Sequence, residues 1–111
     1  MAVTLNYFDK AYLHGTSQQK SRAALFAATR TLEDEDFDAA RRWNTRMEHP
    51  AAAFDKLMVA AHIETGAGNW AAADDILLRA QTTQPDENGV YGEADLLRAR
   101  LNIAAKLPPT E

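Results

Sequence analysis

The residues of this 111-residue chain that invite a chemical reading can each be tested against the geometry that chemistry needs. Asp34-x-Asp36-x-Asp38 opens like a calcium-binding loop. Such a loop requires Gly at its sixth position for the turn and Glu at its twelfth to close the oxygen cage. Ala39 and Thr45 stand there instead, so the carboxylates read as a solvated helix start. His14, His49 and His62 include no i, i+4 pair, the spacing that sets two imidazoles on one helix face for a metal. Gly66-x-Gly68 lacks the preceding strand and third glycine of a dinucleotide fingerprint. Gly15 to Lys20 lacks the second glycine of a phosphate loop. Ser17 has no neighbouring His and Asp for a triad. Asp74 and Asp75 adjoin on a helical stretch, so their side chains diverge. The expectation is a non-enzymatic chain with no cofactor and no metal.

Composition agrees with that. Net charge is −4, and the basic residues along the chain are interspersed with acids. Arg41, Arg42 and Arg46 form a patch with acids around it, read as a solvated face, with docking to an acidic partner as the alternative. A general nucleic-acid binder concentrates basic charge on one face, so no nucleic acid is expected. Cysteine is absent, which removes disulfides, thiol catalysis and Cys-based zinc sites. The first residues carry no basic start followed by an apolar run. No stretch approaches the roughly 18 apolar residues of a membrane span. A cytoplasmic protein that meets no membrane is expected.

Alanine, the strongest helix former, dominates the apolar residues, with Gly and Pro few and grouped between Ala-rich stretches. This predicts an all-α fold of about six helices in antiparallel helix-turn-helix pairs. Over residues 3–14, Val3, Leu5 and Tyr7 alternate as in a strand while Leu5, Phe8 and Tyr12 share a helical face; a helix is favoured because everything downstream is helical. Thr16-x-x-Gln19 is a capping box for a second helix reaching Leu32. Acids 33–36 make a turn, and a third helix carries Phe37, Ala40, Trp43 and Met47 and ends before Pro50. A fourth spans Ala52 to Thr65. Asn69 caps a fifth that reaches Thr82. The turn cluster Pro85 to Gly89 precedes a sixth, Val90 to Lys106, stopped by Pro108 and Pro109. Trp43 and Trp70 read as core.

These pairs repeat. Ala28, Ala61 and Ala94 are 33 residues apart, and the same step takes Phe37 to Trp70, Ala40 to Ala73, and Glu35-Asp36-Phe37 to Gly68-Asn69-Trp70. The pattern resembles the tetratricopeptide repeat, whose unit is about 34 residues. Residues 54–85 are the best copy: Leu57, Ala60, Ala61, Trp70, Ala73, Leu77, Ala80 and Pro85 stand at its large, small, aromatic and terminal-proline positions. Glu64 departs, since the family favours an aromatic there. Residues 21–50 form a degenerate copy in which Asn44 replaces a large apolar residue. Residues 88–107 supply only a first helix, read as a C-terminal cap. Residues 1–20 would cap the other end, and 108–111 form a tail.

The resemblance implies a right-handed superhelical stack, in which first helices line a concave groove. Four rows at the 33-residue step would face it: Leu25, Met58 and Tyr91; Thr29, His62 and Asp95; Arg22, Asp55 and Asn88; Leu32, Thr65 and Arg98. The first row offers apolar area for a partner's amphipathic helix. Either a partner peptide or residues 3–14 would fill it. The Lys, Arg and Asn set with which some members grip a terminal carboxylate is missing, since Asp55 and Met58 occupy groove positions. The expected function is an adaptor or chaperone for a protein or peptide partner. A structural module forming a homodimer is the alternative. A narrower resemblance, carried by Asp36-Phe37-Asp38-Ala39-Ala40 and Met47-Glu48-His49-Pro50, is to the small type III secretion chaperones that hold the needle subunit.

Overall fold

Thr16 opens the first helix as its sequence predicts. Its hydroxyl accepts from the Gln19 amide at 3.2 Å, and the Gln19 side chain accepts from the Thr16 amide at 2.9 Å. The computed structural model describes residues 15–86 and 89–107. Among them are five α-helices and no strand: α1 Ser17–Glu33, α2 Phe37–Thr45, α3 Ala53–Gly66, α4 Trp70–Gln81 and α5 Glu93–Ala104, with a 3₁₀ turn at Pro50–Ala52. The expected helix over residues 3–14 lies outside the described residues. No helix among those described is long and apolar enough to cross a membrane.

The helices pair as hairpins. α1 packs on α2 and α3 on α4; α3 also touches α1 and α2, while α5 rests on α4. Alanine permits the close approach, because small side chains let helix backbones near one another and larger neighbours fill the grooves. One cluster joins Ala24, Ala27, Ala28, Ala40, Trp43, Met47, Val59 and Ile63. The second joins Phe54, Met58, Ala61, Ala73, Leu77, Ala80, Leu96 and Ile103.

The two hairpin turns are copies of each other at the 33-residue step. Asp34 N donates to Arg30 O at 3.2 Å, and Ala67 N to Ile63 O at 3.0 Å. Glu35 N donates to Leu32 O at 3.0 Å, and Gly68 N to Thr65 O at 3.1 Å. Asp36 N reaches Thr31 O at 2.8 Å, and Asn69 N reaches Glu64 O at 2.9 Å. The residue that reverses the chain is left-handed in both, Glu35 at φ 58° and Gly68 at φ 81°.

Three local expectations are corrected. The Asn69 side chain does not cap α4; its amide donates to Glu64 Oε2 at 2.8 Å instead. Helix α2 ends before Pro50 as expected but stops at Thr45 and does not carry Met47, because the buried Ser21 hydroxyl accepts from both the Glu48 amide (3.1 Å) and the His49 amide (2.9 Å) and holds that segment on α1. The last helix starts at Glu93 and not Val90, since Tyr91 and Gly92 spend their amides on Asp55 and Asp95.

Candidate functional site

The row Leu25, Met58 and Tyr91 does come together, but as packed interior. Leu25 is 5% exposed within the first cluster and Met58 fully buried within the second. Tyr91 is half-buried and packs against both clusters. The expectation that Leu25 and Met58 present open apolar surface is therefore corrected. The physical reason is the placement of Tyr91, which a buried carboxylate draws onto α1 and α3.

That carboxylate is Asp55. It is 2% exposed, and its Oδ1 accepts from the Tyr91 amide at 2.9 Å, with a further hydrogen bond from the Val90 amide. Gly89 lies so close that an added Cβ would run into the carboxylate. Burial pushes the Asp55 carboxyl above its usual range, and the Asp86 charge adds to this. The two amides and the Arg22 guanidinium oppose it. Arg22 itself is exposed. Asn88, the third member of that row, lies outside the described residues. Asp55 thus staples the segment before α5 to α3 and does not point into a groove.

The second row keeps a solvent face. His62 is half-buried, its ring centroid 5.4 Å from that of Tyr91 at a tilt of 41°. Burial lowers the His62 pKa and the Asp95 charge opposes the shift, so the neutral ring is favoured. Asp95 Oδ2 accepts from the Gly92 amide at 2.9 Å, and Oδ1 pairs with Arg98 at 3.3 Å. Thr29, also half-buried, donates its hydroxyl to Phe26 O at 2.9 Å. The Tyr91 phenol is pushed up to about 12 by burial and by the Asp55, Asp95 and Glu33 charges, so it stays neutral. In the fourth row Leu32 and Thr65 are half-buried and Arg98 is exposed. Phe26, beside this face on α1, is 42% exposed.

Ser21, His49 and Asp55 line one small cleft, a combination sequence reading did not single out. Their bonds assign structural work. The Ser21 hydroxyl already serves two backbone amides, and His49 Nδ1 accepts from the Ala51 amide at 3.1 Å. A triad instead needs the serine hydroxyl on the imidazole and the imidazole on the carboxylate. Among the described residues no group of three or more His, Cys, Asp or Glu is arranged to hold a metal. Two of the three arginines of the patch are engaged locally: Arg41 pairs with Asp38 (3.5 Å) and Glu64 (3.8 Å), and Arg46, just after α2, lies over the Trp43 ring at 4.4 Å.

No family model, curated protein or solved structure matches this chain.

Proposed function

We propose that this chain is a non-enzymatic, tetratricopeptide-like interaction module that holds a protein or peptide partner along the face of its first helices, α1, α3 and α5. The observation that carries this reading is the recurrence of the hairpin turn, bond for bond, at the 33-residue step. Units that repeat in this way stack side by side, and their equivalent residues form continuous rows, which is how repeat proteins build extended binding surfaces. The row available to a partner is Thr29, His62 and Asp95, extended by Phe26, the Tyr91 edge and Arg98. Leu25 and Met58 support it from beneath. Tyr91 supplies area and a polar tip, and the exposed Phe26 on α1 adds apolar contact.

The experiment is a cross-linking capture with the wild-type protein and the pair of variants Phe26→Glu and Thr29→Arg. Both positions have solvent access, so melting temperature and helical content should hold. A partner retained by the wild type and lost by both variants is the expected result. Equal capture by all three, at equal folding, would reject this face.

A further inference from the structure

Between α2 and α3 lies a cleft of about 270 Å³, walled by Arg41, Asn44, Thr45, Ala60, Ile63 and Glu64. It opens where one residue departs from the repeat. At the 33-residue step Asn44 and Ile63 correspond to Leu77 and Leu96, both buried in the second cluster, which closes the matching junction between α4 and α5. Asn44 puts a carboxamide where Leu77 packs.

That carboxamide is incompletely served. Asn44 is 9% exposed, and its Oδ1 is buried with no hydrogen bond from the described residues. A buried acceptor in that state calls for a partner. The wall does not supply one. Ala60 and Ile63 are apolar, and the two charges on it are paired: Arg41 with Glu64 at 3.8 Å, and also with Asp38 at 3.5 Å.

Size and chemistry select the occupant. Sites for drug-sized ligands run from roughly 300 to 1,000 Å³, so this cleft takes one side chain and not a cofactor. A carboxylate has no proton to give Oδ1. A Lys or Arg head donates, but it brings a charge onto an apolar wall beside Arg41. A thioether or aliphatic chain leaves the acceptor unmet. A carboxamide gives an N–H to Oδ1 and accepts an N–H of Asn44 in return, so two amides complete each other. The stem of a glutamine adds apolar contact for Ala60 and Ile63. We infer that this cleft receives a glutamine side chain of a partner protein, its carboxamide paired with that of Asn44. The inference uses α2, which the first-helix face does not, and can fail without it.

The test uses the isotopically labelled 111-residue protein and three peptides that differ at one central residue, Gln, Glu or Met, flanked by alanines. At millimolar concentration the Gln peptide should shift the Asn44 side-chain amide and the Ala60 and Ile63 methyl signals in NMR spectra. The Glu and Met peptides should bind about fivefold more weakly or worse, because each leaves Oδ1 without a donor. Asn44→Leu should erase the Gln preference; Leu fills this place on α4, so the fold should hold. Asn44→Ala, which keeps the cleft open without the amide, should erase it too. Phe26→Glu with Thr29→Arg should leave it unchanged. Equal shifts from the three peptides would overturn the inference. So would no shift at Asn44, which means that water already serves the amide, or a Gln preference that survives Asn44→Leu. A response to free propionamide with none to the Gln peptide would mark a small-molecule site and overturn it as well. In each of these cases the first-helix face is still decided by capture with its own variants.

Discussion

Asp55 Oδ1 accepts a hydrogen bond from the backbone amide of Tyr91 at 2.9 Å, joining residues 36 positions apart. This bond fixes where the third unit meets the first two. Burial makes the ionised carboxylate costly, and its pKa rises accordingly. The folded state then holds the proton to higher pH than the unfolded chain does. The Asp55 contribution is fully present below the ordinary value of 3.8 and is lost as pH rises through the raised folded value. Urea midpoints measured from pH 4 upward should therefore show a downward component in the wild type. Asp55→Asn, which cannot ionise, should lack it. Identical pH profiles would reject this account.

Gly66 ends α3, where Ala would ordinarily be worth roughly 0.5–1 kcal/mol more than Gly in a helix. Here the gain should reverse. A Cβ at Gly66 would run into the Phe37 ring at the start of α2. Gly66→Ala should cost about 1–3 kcal/mol in denaturant unfolding, the usual range for forcing bulk into a packed contact. Phe37→Leu in the same chain should recover part of the loss, because the double variant separates the clash from the helix propensity.

Asn44 occupies on α2 the place that Leu77 fills on α4 at the 33-residue step. Leu77 is 0% exposed and Asn44 is 9% exposed, and the buried Asn44 Oδ1 accepts no hydrogen bond from the described residues. A buried acceptor without a donor costs roughly 1–3 kcal/mol. Asn44→Leu should accordingly raise stability by about 1 kcal/mol or more, read as a higher urea midpoint at unchanged slope. A fall in the midpoint would mean that the site lacks room for the larger side chain.

The elements were legible because turn residues are local signals. Thr16 with Gln19, the acids at 33–36, Gly66 with Gly68, and Pro85 mark breaks whatever surrounds them. The 33-residue register was legible for the same reason, since alanines and aromatics recur along the chain. What register alone does not carry is direction. Leu25, Met58 and Tyr91 stand in one row, yet whether that row opens or closes depends on the backbone of residues 89–92. That backbone is held by Asp55 through amides, which leave no trace in residue type. Carboxylates are seldom fully buried, so Asp55 read as a groove residue, and Ser21 escaped notice because its partners are also amides. The final helix read as a cap without a side assigned to its core, and Leu96 and Ile103 are its buried side.

Glu35 offers the sharpest test of the repeat. It takes φ 58°, a left-handed conformation that costs a residue with a Cβ roughly 1–2 kcal/mol. Its equivalent, Gly68 at φ 81°, takes the same turn without a Cβ. Glu35→Gly relieves the strain but lets the unfolded chain explore more conformations, which offsets roughly 0.4–1 kcal/mol. The net expectation is a gain of a few tenths to about 1 kcal/mol. Gly68→Ala is the mirror experiment: nothing lies within 4 Å of the added Cβ, so its expected loss of about 1 kcal/mol is backbone strain alone. Opposite signs at the two positions follow if one turn recurs at the 33-residue step. A loss at Glu35 would show that the two turns are not energetically equivalent, and the repeat reading would lose its main support.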